Sequence, residues 1–198
     1  GNEWNTSNSR LFNLFWFGCC GNWRQCETSY YCNGQDISHY FENGKIQRTL
    51  TYIDGKKEGT TTKYYESGEI QYTENHKAGV ICCQAKDFYE NGKVKIVANY
   101  NDNGKFHGEF KVYTENGNLK YERVYKNGEK TGSYKSYHDN GKPFIMATTV
   151  KDTYDGNYKE YYSNGNLKFN GNYNEGVETG NWKEYYENGK LHIHGDMV

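Results

Sequence analysis

The sequence predicts an all-β fold: an elongated, single-layer antiparallel meander of about seven 24-residue β-hairpin repeats behind a short N-terminal segment. Three observations predict it. A turn motif recurs as HYFENGKI, KYYESGEI, DFYENGKV, VYTENGNL, SYHDNGKP, EYYSNGNL and EYYENGKL. Its shared glycine stands at Gly44, Gly68, Gly92, Gly117, Gly141, Gly165 and Gly189, at spacings of 24, 24, 25, 24, 24 and 24 residues. After each turn apolar and polar residues alternate, as in VKIVANY (94–100), which is the period of a strand. No helical period runs through residues 37–198, and the chain holds a single proline.

Residues 1–36 stand outside the repeat. SRLFNLFWFG (9–18) has a helix N-cap candidate in Ser9 and a terminating glycine in Gly18, with apolar side chains nearly all round between them. A stack of hairpins exposes its first sheet edge and needs a cap, which is the role this segment is expected to play. The other readings are a membrane-surface helix and the remnant of a secretion signal. FWFGCC resembles a lipoprotein cleavage box only loosely, with Trp16 where a leucine is usual. The chain begins with Gly1, which fits removal of a leader.

From residue 37 each unit repeats one pattern. Asn-Gly is the strongest short-range hairpin signal, because the turn needs positive φ. Nine residues before the shared glycine stands Gly59, Gly108, Gly132, Gly156 or Gly180, with Gln35 and Cys83 in the first and third units. Four before it is an aromatic in every unit: Tyr40, Tyr64, Phe88, Tyr113, Tyr137, Tyr161 and Tyr185. Two after it is an aliphatic, except at Pro143. Eight after it is often a tyrosine, as at Tyr52, Tyr100, Tyr125 and Tyr173. A second turn, as in KNGEKTG (126–132), sends the chain back. The one-residue insertion falls in NDNGK (101–105), a turn able to absorb it.

Two registers are open. A two-residue Asn-Gly turn sets the residue three before the glycine opposite the aliphatic two after it. A type I turn with a glycine bulge sets the all-aromatic position there instead. The second is favoured, because the position constant in character is expected to be core; burial of aromatics on both faces is the alternative.

The unit, G-x-W/Y-K-x-Y-Y-x-N-G-K-L followed by a tyrosine and a D/N-G turn, resembles the MORN-repeat variant, a family that includes the YwqK-type antitoxins. GNWKEYYENGKL (180–191) is the clearest match, and the resemblance covers residues 37–198. It implies an extended sheet of successive hairpins. The third unit departs from it at Cys82 and Cys83, and the fifth at His138 and Pro143.

Composition narrows the function. Mean hydropathy is −1.10, which by itself points to disorder. The aromatic fraction of 17% argues for a folded chain instead, with a thin core of rings whose hydroxyls stay wet. Twenty-four Lys and Arg against 25 Asp and Glu leave no field to steer the chain to nucleic acid or an anionic membrane. No nucleotide, metal-protease or serine-hydrolase motif occurs, so no catalytic residue, metal or cofactor is assigned.

Six cysteines, Cys19, Cys20, Cys26, Cys32, Cys82 and Cys83, are disulfide candidates suited to an oxidising compartment. Neighbouring cysteines seldom bond to each other, so the CC pairs need outside partners; Cys26 with Cys32 is a short-loop candidate. Free thiols and a metal site are the alternatives. His192 and His194 alternate along one strand and are expected to share a face. Carboxylates such as Glu66, Glu90, Glu115 and Glu187 belong to turns.

The lysines six before the glycine, Lys86, Lys111, Lys135, Lys159 and Lys183, form a row. It reads either as a solubilising ladder or as a stripe that contacts an acidic protein. The candidate partner-binding face is Lys111, Lys135, Lys159 and Lys183 with Tyr162 and Tyr186 supplying contact area. The expected function is non-catalytic protein recognition, with neutralisation of a partner toxin as the form the resemblance implies. A secreted or cell-envelope structural protein and a membrane-associated module are the alternatives, and a secreted, periplasmic or envelope location is favoured.

Overall fold

The computed structural model describes residues 34–197. They form β1 (Gln35–Tyr40), β2 (Ile46–Ile53), β3 (Lys56–Tyr64), β4 (Ile70–Lys77), β5 (Val80–Phe88), β6 (Val94–Tyr100) and β7 (Phe106–Tyr113). The sheet continues through β8 (Leu119–Lys126), β9 (Glu129–Tyr137), β10 (Pro143–Val150), β11 (Thr153–Tyr161), β12 (Leu167–Asn174), β13 (Val177–Tyr185) and β14 (Leu191–Met197). All fourteen lie in one antiparallel sheet whose spatial order is the sequence order. There is no helix among the described residues. The helix expected over 9–18 lies outside them, and β1 begins at Gln35, inside the stretch assigned to the cap.

The turn at the shared glycine is the bulged one. The Phe41 N–H donates to Lys45 O at 2.8 Å and the Gly44 N–H to Phe41 O at 2.9 Å, and the same two bonds recur in every unit. This is a type I turn closed by a left-handed glycine, φ +81° at Gly44. It pairs Tyr40 with Ile46, Tyr64 with Ile70, Phe88 with Val94, Tyr113 with Leu119, Tyr137 with Pro143, Tyr161 with Leu167 and Tyr185 with Leu191. The favoured register is therefore the observed one. The reason given for it fails. The all-aromatic position is not core: Tyr40 is 60% exposed and its counterparts are half-buried, because the position lies at the end of its strand.

At the opposite edge, Asp54-Gly55, Ala78-Gly79, Asn127-Gly128, Lys151-Asp152 and Glu175-Gly176 take positive φ at both residues, as a two-residue type I′ turn requires. The NDNGK loop differs. There the Asn101 N–H donates to Lys105 O and the Gly104 N–H to Asn101 O, so the extra residue becomes a bulged three-residue loop.

A second irregularity falls at the glycine nine before the turn. Between the pairs Thr51–Glu58 and Thr49–Thr62, the single residue Leu50 faces three on β3. The bulge places Gly59 at φ +73°, and a bulge recurs at this position in β5, β7, β9, β11 and β13. Cys83 holds this position at φ +63° without being glycine, a strain of about 1 kcal/mol or more. Such bulges bend the strand and add right-handed twist.

Successive units are tied together through the turn motif. The Tyr65, Tyr89 and Tyr162 hydroxyls donate to the carbonyls of Phe88, Tyr113 and Tyr185 in the next unit, at 2.8, 2.8 and 2.9 Å. His138 fills the same place, its Nε2–H donating to Tyr161 O at 2.9 Å. Asn91 accepts from the Lys93 N–H in its own turn and donates to Glu115 O in the next, while Lys93 Nζ reaches Asn116 O. Asn140 caps and bridges in the same manner, donating to Ser163 O, whereas Asn43 donates to the Glu66 carboxylate and Lys45 Nζ reaches Glu66 O. The turn carboxylates thus occur where expected, and their backbone carbonyls receive this ladder.

The core is a single line along the sheet. Its buried apolar side chains are Leu50, Cys82, Ala98 and Ala147, with Thr61, His76, Ser136 and Thr149 beside them. Substantial contacts between elements join only consecutive strands. Stability is therefore built from neighbour-to-neighbour steps rather than one central core.

Candidate functional site

Cross-strand pairing assigns each side chain to a face. Lys111 lies opposite Glu122, Lys135 opposite Glu122 and Met146, Lys159 opposite Met146 and Asn170, and Lys183 opposite Asn170 and His194. The same face carries Thr62–Thr73, Gln84–Asn99 and Asn157–Asn172. Along its middle it is a polar face of Thr, Asn and Lys with Met146 among them, and Tyr113, Tyr137, Tyr161 and Tyr185, two residues beyond each lysine, border it at the turn edge.

The lysines on it are not equivalent. Lys111 Nζ sits 2.9 Å from Glu109 and 3.8 Å from Glu122, and Lys135 Nζ lies 3.1 Å from Glu122. Hydrogen bonds to Glu109 and to Glu122, respectively, raise the pKa of these two ammonium groups. Lys86, Lys159 and Lys183 form no ion pair among the described residues.

Tyr162 does not join this row. It stands three residues after Lys159, and strand alternation puts it on the other face, where it lines a cleft with Glu160 and Phe169. Its hydroxyl is held by Tyr185 O, and Lys168 Nζ lies 6.0 Å from its ring centroid. Tyr186, at the same position one unit later, is 50% exposed and packs against His192 at 4.2 Å between centroids.

The histidine pair also separates. Leu191 pairs with Tyr185 and Ile193 with Glu184, so His192 is the extra residue of a bulge. It turns to Tyr186 and to Glu184, 3.9 Å away, whereas His194 lies opposite Lys183 on the polar face. Alternation predicts a shared face, and the bulge breaks alternation.

The cysteine expectation is corrected where it can be seen. Cys82 and Cys83 are both free, the first buried and the second exposed. They share a thiol hydrogen bond at 3.0 Å between sulfurs, which with burial pushes the Cys82 thiol up to about 11. The bulge at Cys83, with its positive φ, suspends strand alternation and brings the two neighbouring thiols together. Cys19, Cys20, Cys26 and Cys32 lie outside the described residues.

The second face is aromatic. Phe106 lies 4.8 Å from Tyr100, 5.4 Å from Phe110 and 5.1 Å from Tyr125. Further along, Tyr158 lies 5.2 Å from Tyr154, 5.9 Å from Phe169 and 5.4 Å from Tyr173, and Phe169 stacks on Trp182 at 6.4 Å. Burial among these rings, then the charge of Glu160, pushes the Tyr158 phenol up to about 12. Arg123 lies between the Tyr121 and Tyr134 rings, 5.4 and 4.6 Å from their centroids.

Clefts open on this face, two of them in the ring-rich region. One of about 260 Å³ is lined by Tyr158, Glu160, Phe169, Tyr173, Glu178 and Glu184 among others. The other, about 200 Å³, is bordered by Arg123, Lys130, Tyr134 and Tyr154. Of the residues lining these clefts, sequence reasoning singled out Tyr162 as a candidate contact, Tyr173 and Tyr185 as repeat positions and His192 as one of a histidine pair, and missed the rest. The available signal was their change of chemistry between units at fixed phases of the repeat, against a turn that hardly changes.

This geometry is what the family comparison meets. The MORN repeat variant family matches seven stretches: 37–54, 57–78, 84–102, 106–127, 130–151, 154–175 and 178–196. The chain belongs to the MORN repeat variant family. Each match coincides with one hairpin, and most of the chain is covered. A comparison with curated proteins gives no match. In this MORN-variant sheet the repeat motif is spent on turns and ladders, and the two faces carry the residues that vary between units. No helix among the described residues is long and apolar enough to cross a membrane.

Proposed function

We propose that the chain is a non-catalytic protein-recognition scaffold, and that its partner is a toxin which it binds and neutralises. The observation that carries the first part is the fate of the repeat motif. Its Tyr, Asn and Lys side chains are consumed in joining unit to unit, and two broad faces remain, one of rings and one of Thr, Asn and Lys. Repeat sheets of this kind offer extended surfaces for partners. Resemblance to the YwqK-type antitoxins supports the second part.

The contact surface proposed on the polar face centres on Lys159 and Lys183, which have no ion-pair partner among the described residues, with Lys111 and Lys135 held back by Glu109 and Glu122. Tyr162 and Tyr186 reach a partner only from the other face.

The test is co-expression. A protein encoded beside this chain should arrest growth when expressed alone, and this chain should form a complex with it on gel filtration and restore growth. Lys159→Glu with Lys183→Glu should weaken that complex. A neighbour that is not toxic, or a toxic one that neither binds nor is relieved, defeats the antitoxin reading.

A further inference from the structure

The repeat supplies its own reference site. Arg123 lies over a set of rings: Tyr121 and Tyr134 flank it at 5.4 and 4.6 Å, and the Phe110–Tyr121 and Phe110–Tyr125 pairs continue the set. Its Nε has no hydrogen-bond partner, so the rings rather than a carboxylate hold this guanidinium.

Two units later, each ring has a counterpart at the same phase. Tyr121 becomes Phe169, Tyr134 becomes Trp182, Tyr125 becomes Tyr173 and Phe110 becomes Tyr158. The Phe169–Trp182 centroids are 6.4 Å apart, as are those of Tyr121 and Tyr134. What changes is the charge. Arg123 is replaced by Gly171 and Lys130 by Glu178, while the neutral Val112 and Ser136 are replaced by Glu160 and Glu184.

The cation is thus removed, the rings are kept, and three carboxylates are added. Glu178 stands over the glycine: a Cβ built on Gly171 would meet its Oε1 at 3.5 Å and the Phe169 ring at 2.9 Å. Lys168 offsets one charge through Glu160, at 2.6 Å, and His192 lies near Glu184. The cleft above these groups is the one of about 260 Å³, and Glu184 and His192 at its rim are about half exposed.

We propose that this cleft receives an arginine side chain from a protein partner, the guanidinium lying over the Tyr158, Phe169 and Tyr173 rings that line it, with Glu178 and Glu184 as its counter-charges and Trp182 stacked behind Phe169. The proposal rests on the recognition reading above and supplies it with a chemistry. Planar stacking suits a guanidinium better than an ammonium, and charge complementarity sets the sign of the occupant. The cleft lies between β11 and β14, in the units whose opposite face carries the unpaired Lys159 and Lys183.

The experiment titrates the full chain with a fluorescein-labelled Gly-Arg-Gly-Arg-Gly peptide at low ionic strength, following anisotropy and the Trp182 indole N–H resonance. The Arg peptide should bind and shift that resonance, while the same peptide with citrulline for arginine should not. Glu178→Lys, which restores the charge Lys130 has in the filled site, should weaken binding about fivefold or more. Glu184→Gln should weaken it less, and Glu109→Gln on the opposite face should leave it unchanged.

Circular dichroism identical to the parent establishes that each variant is folded. Equal binding of the citrulline peptide, tighter binding of a lysine peptide, a Glu178→Lys variant that binds as well as the parent, or no binding by the parent overturns the proposal. A protein partner whose complex is insensitive to Glu178→Lys would refute the cleft while leaving protein recognition in place.

Discussion

The units before Tyr100 and those after it share one hairpin and differ in what covers it. Ring-to-ring contacts between described residues all lie at or beyond Tyr100. Seven residues before the shared glycine, the early units carry Thr61 and Ala85, and the later ones Phe110, Tyr134, Tyr158 and Trp182. In the early region the same face holds Lys63 5.9 Å from the Tyr72 ring centroid, and Asp87, whose carboxyl burial raises above its ordinary pKa. Both regions have the same bulged turns and the same tyrosine and asparagine ladder. The hairpins are therefore specified by turn chemistry, whereas the rings set how strongly neighbouring units adhere and what the face can bind.

The largest test of this difference is Tyr158→Ala. The ring has three ring neighbours and is half-buried, so its loss should cost about 2 kcal/mol, below the figure for a fully buried ring. Urea unfolding should show it, and Ala85→Gly at the equivalent early position should cost clearly less. An equal loss at both sites would mean that rings do not distinguish the two regions.

Alkaline titration sharpens the point through ionisation. Burial raises the phenol pKa of Tyr100, Tyr121, Tyr154 and Tyr173 as well, and that of Tyr158 to about 12. An unfolded tyrosine ionises near pH 10, so the folded state holds more protons above it. The stability from these groups is complete below about pH 10 and is lost as pH rises toward 12. Tyr158→Phe should retain more of its neutral-pH stability at pH 11 than the parent does. An unchanged alkaline profile would show that Tyr158 is not buried as described.

Cys83→Gly addresses the backbone of the early region. Releasing a left-handed non-glycine should stabilise the sheet by about 1 kcal/mol, read as a higher urea midpoint. Gly108→Ala at the matching bulge should move it the opposite way. The smallest change is Tyr89→Phe, which removes one rung between units and should cost about 0.5 kcal/mol. Asn91→Ala, losing both its own turn contact and the bond to Glu115 O, should cost more. If neither variant moves the midpoint, the ladder contributes nothing to unit adhesion.

Much of the fold was legible because its signals are local. Asn-Gly at 24-residue intervals marks the turns, while the bulged register was favoured on a burial of the aromatic position that the structure does not show. The extra residue of NDNGK was correctly placed in a turn. The candidate site was far less legible. Lys159 and Tyr162 are close in sequence, yet strand parity sends them to opposite faces. His192 and His194 have equal parity, yet a bulge parts them. Cys82 and Cys83 are disulfide candidates by sequence, yet they are free thiols hydrogen-bonded to each other.

By itself, the sequence determined the repeat, the strands and the places of the turns, because each depends on φ preferences and alternation within a few residues, and it left two registers open. Only the tertiary structure decided that Tyr65, Tyr89 and Tyr162 are structural rungs, that Arg123 fills a ring site, and that Gly171 and Glu178 leave its counterpart open and acidic. Those facts depend on contacts between strands: the tyrosine rungs reach carbonyls 23 or 24 residues along the chain, and Arg123 meets Tyr134 across the β8–β9 pair. Bulges shift such meetings by one residue, and a pattern of letters does not reveal on which face they occur.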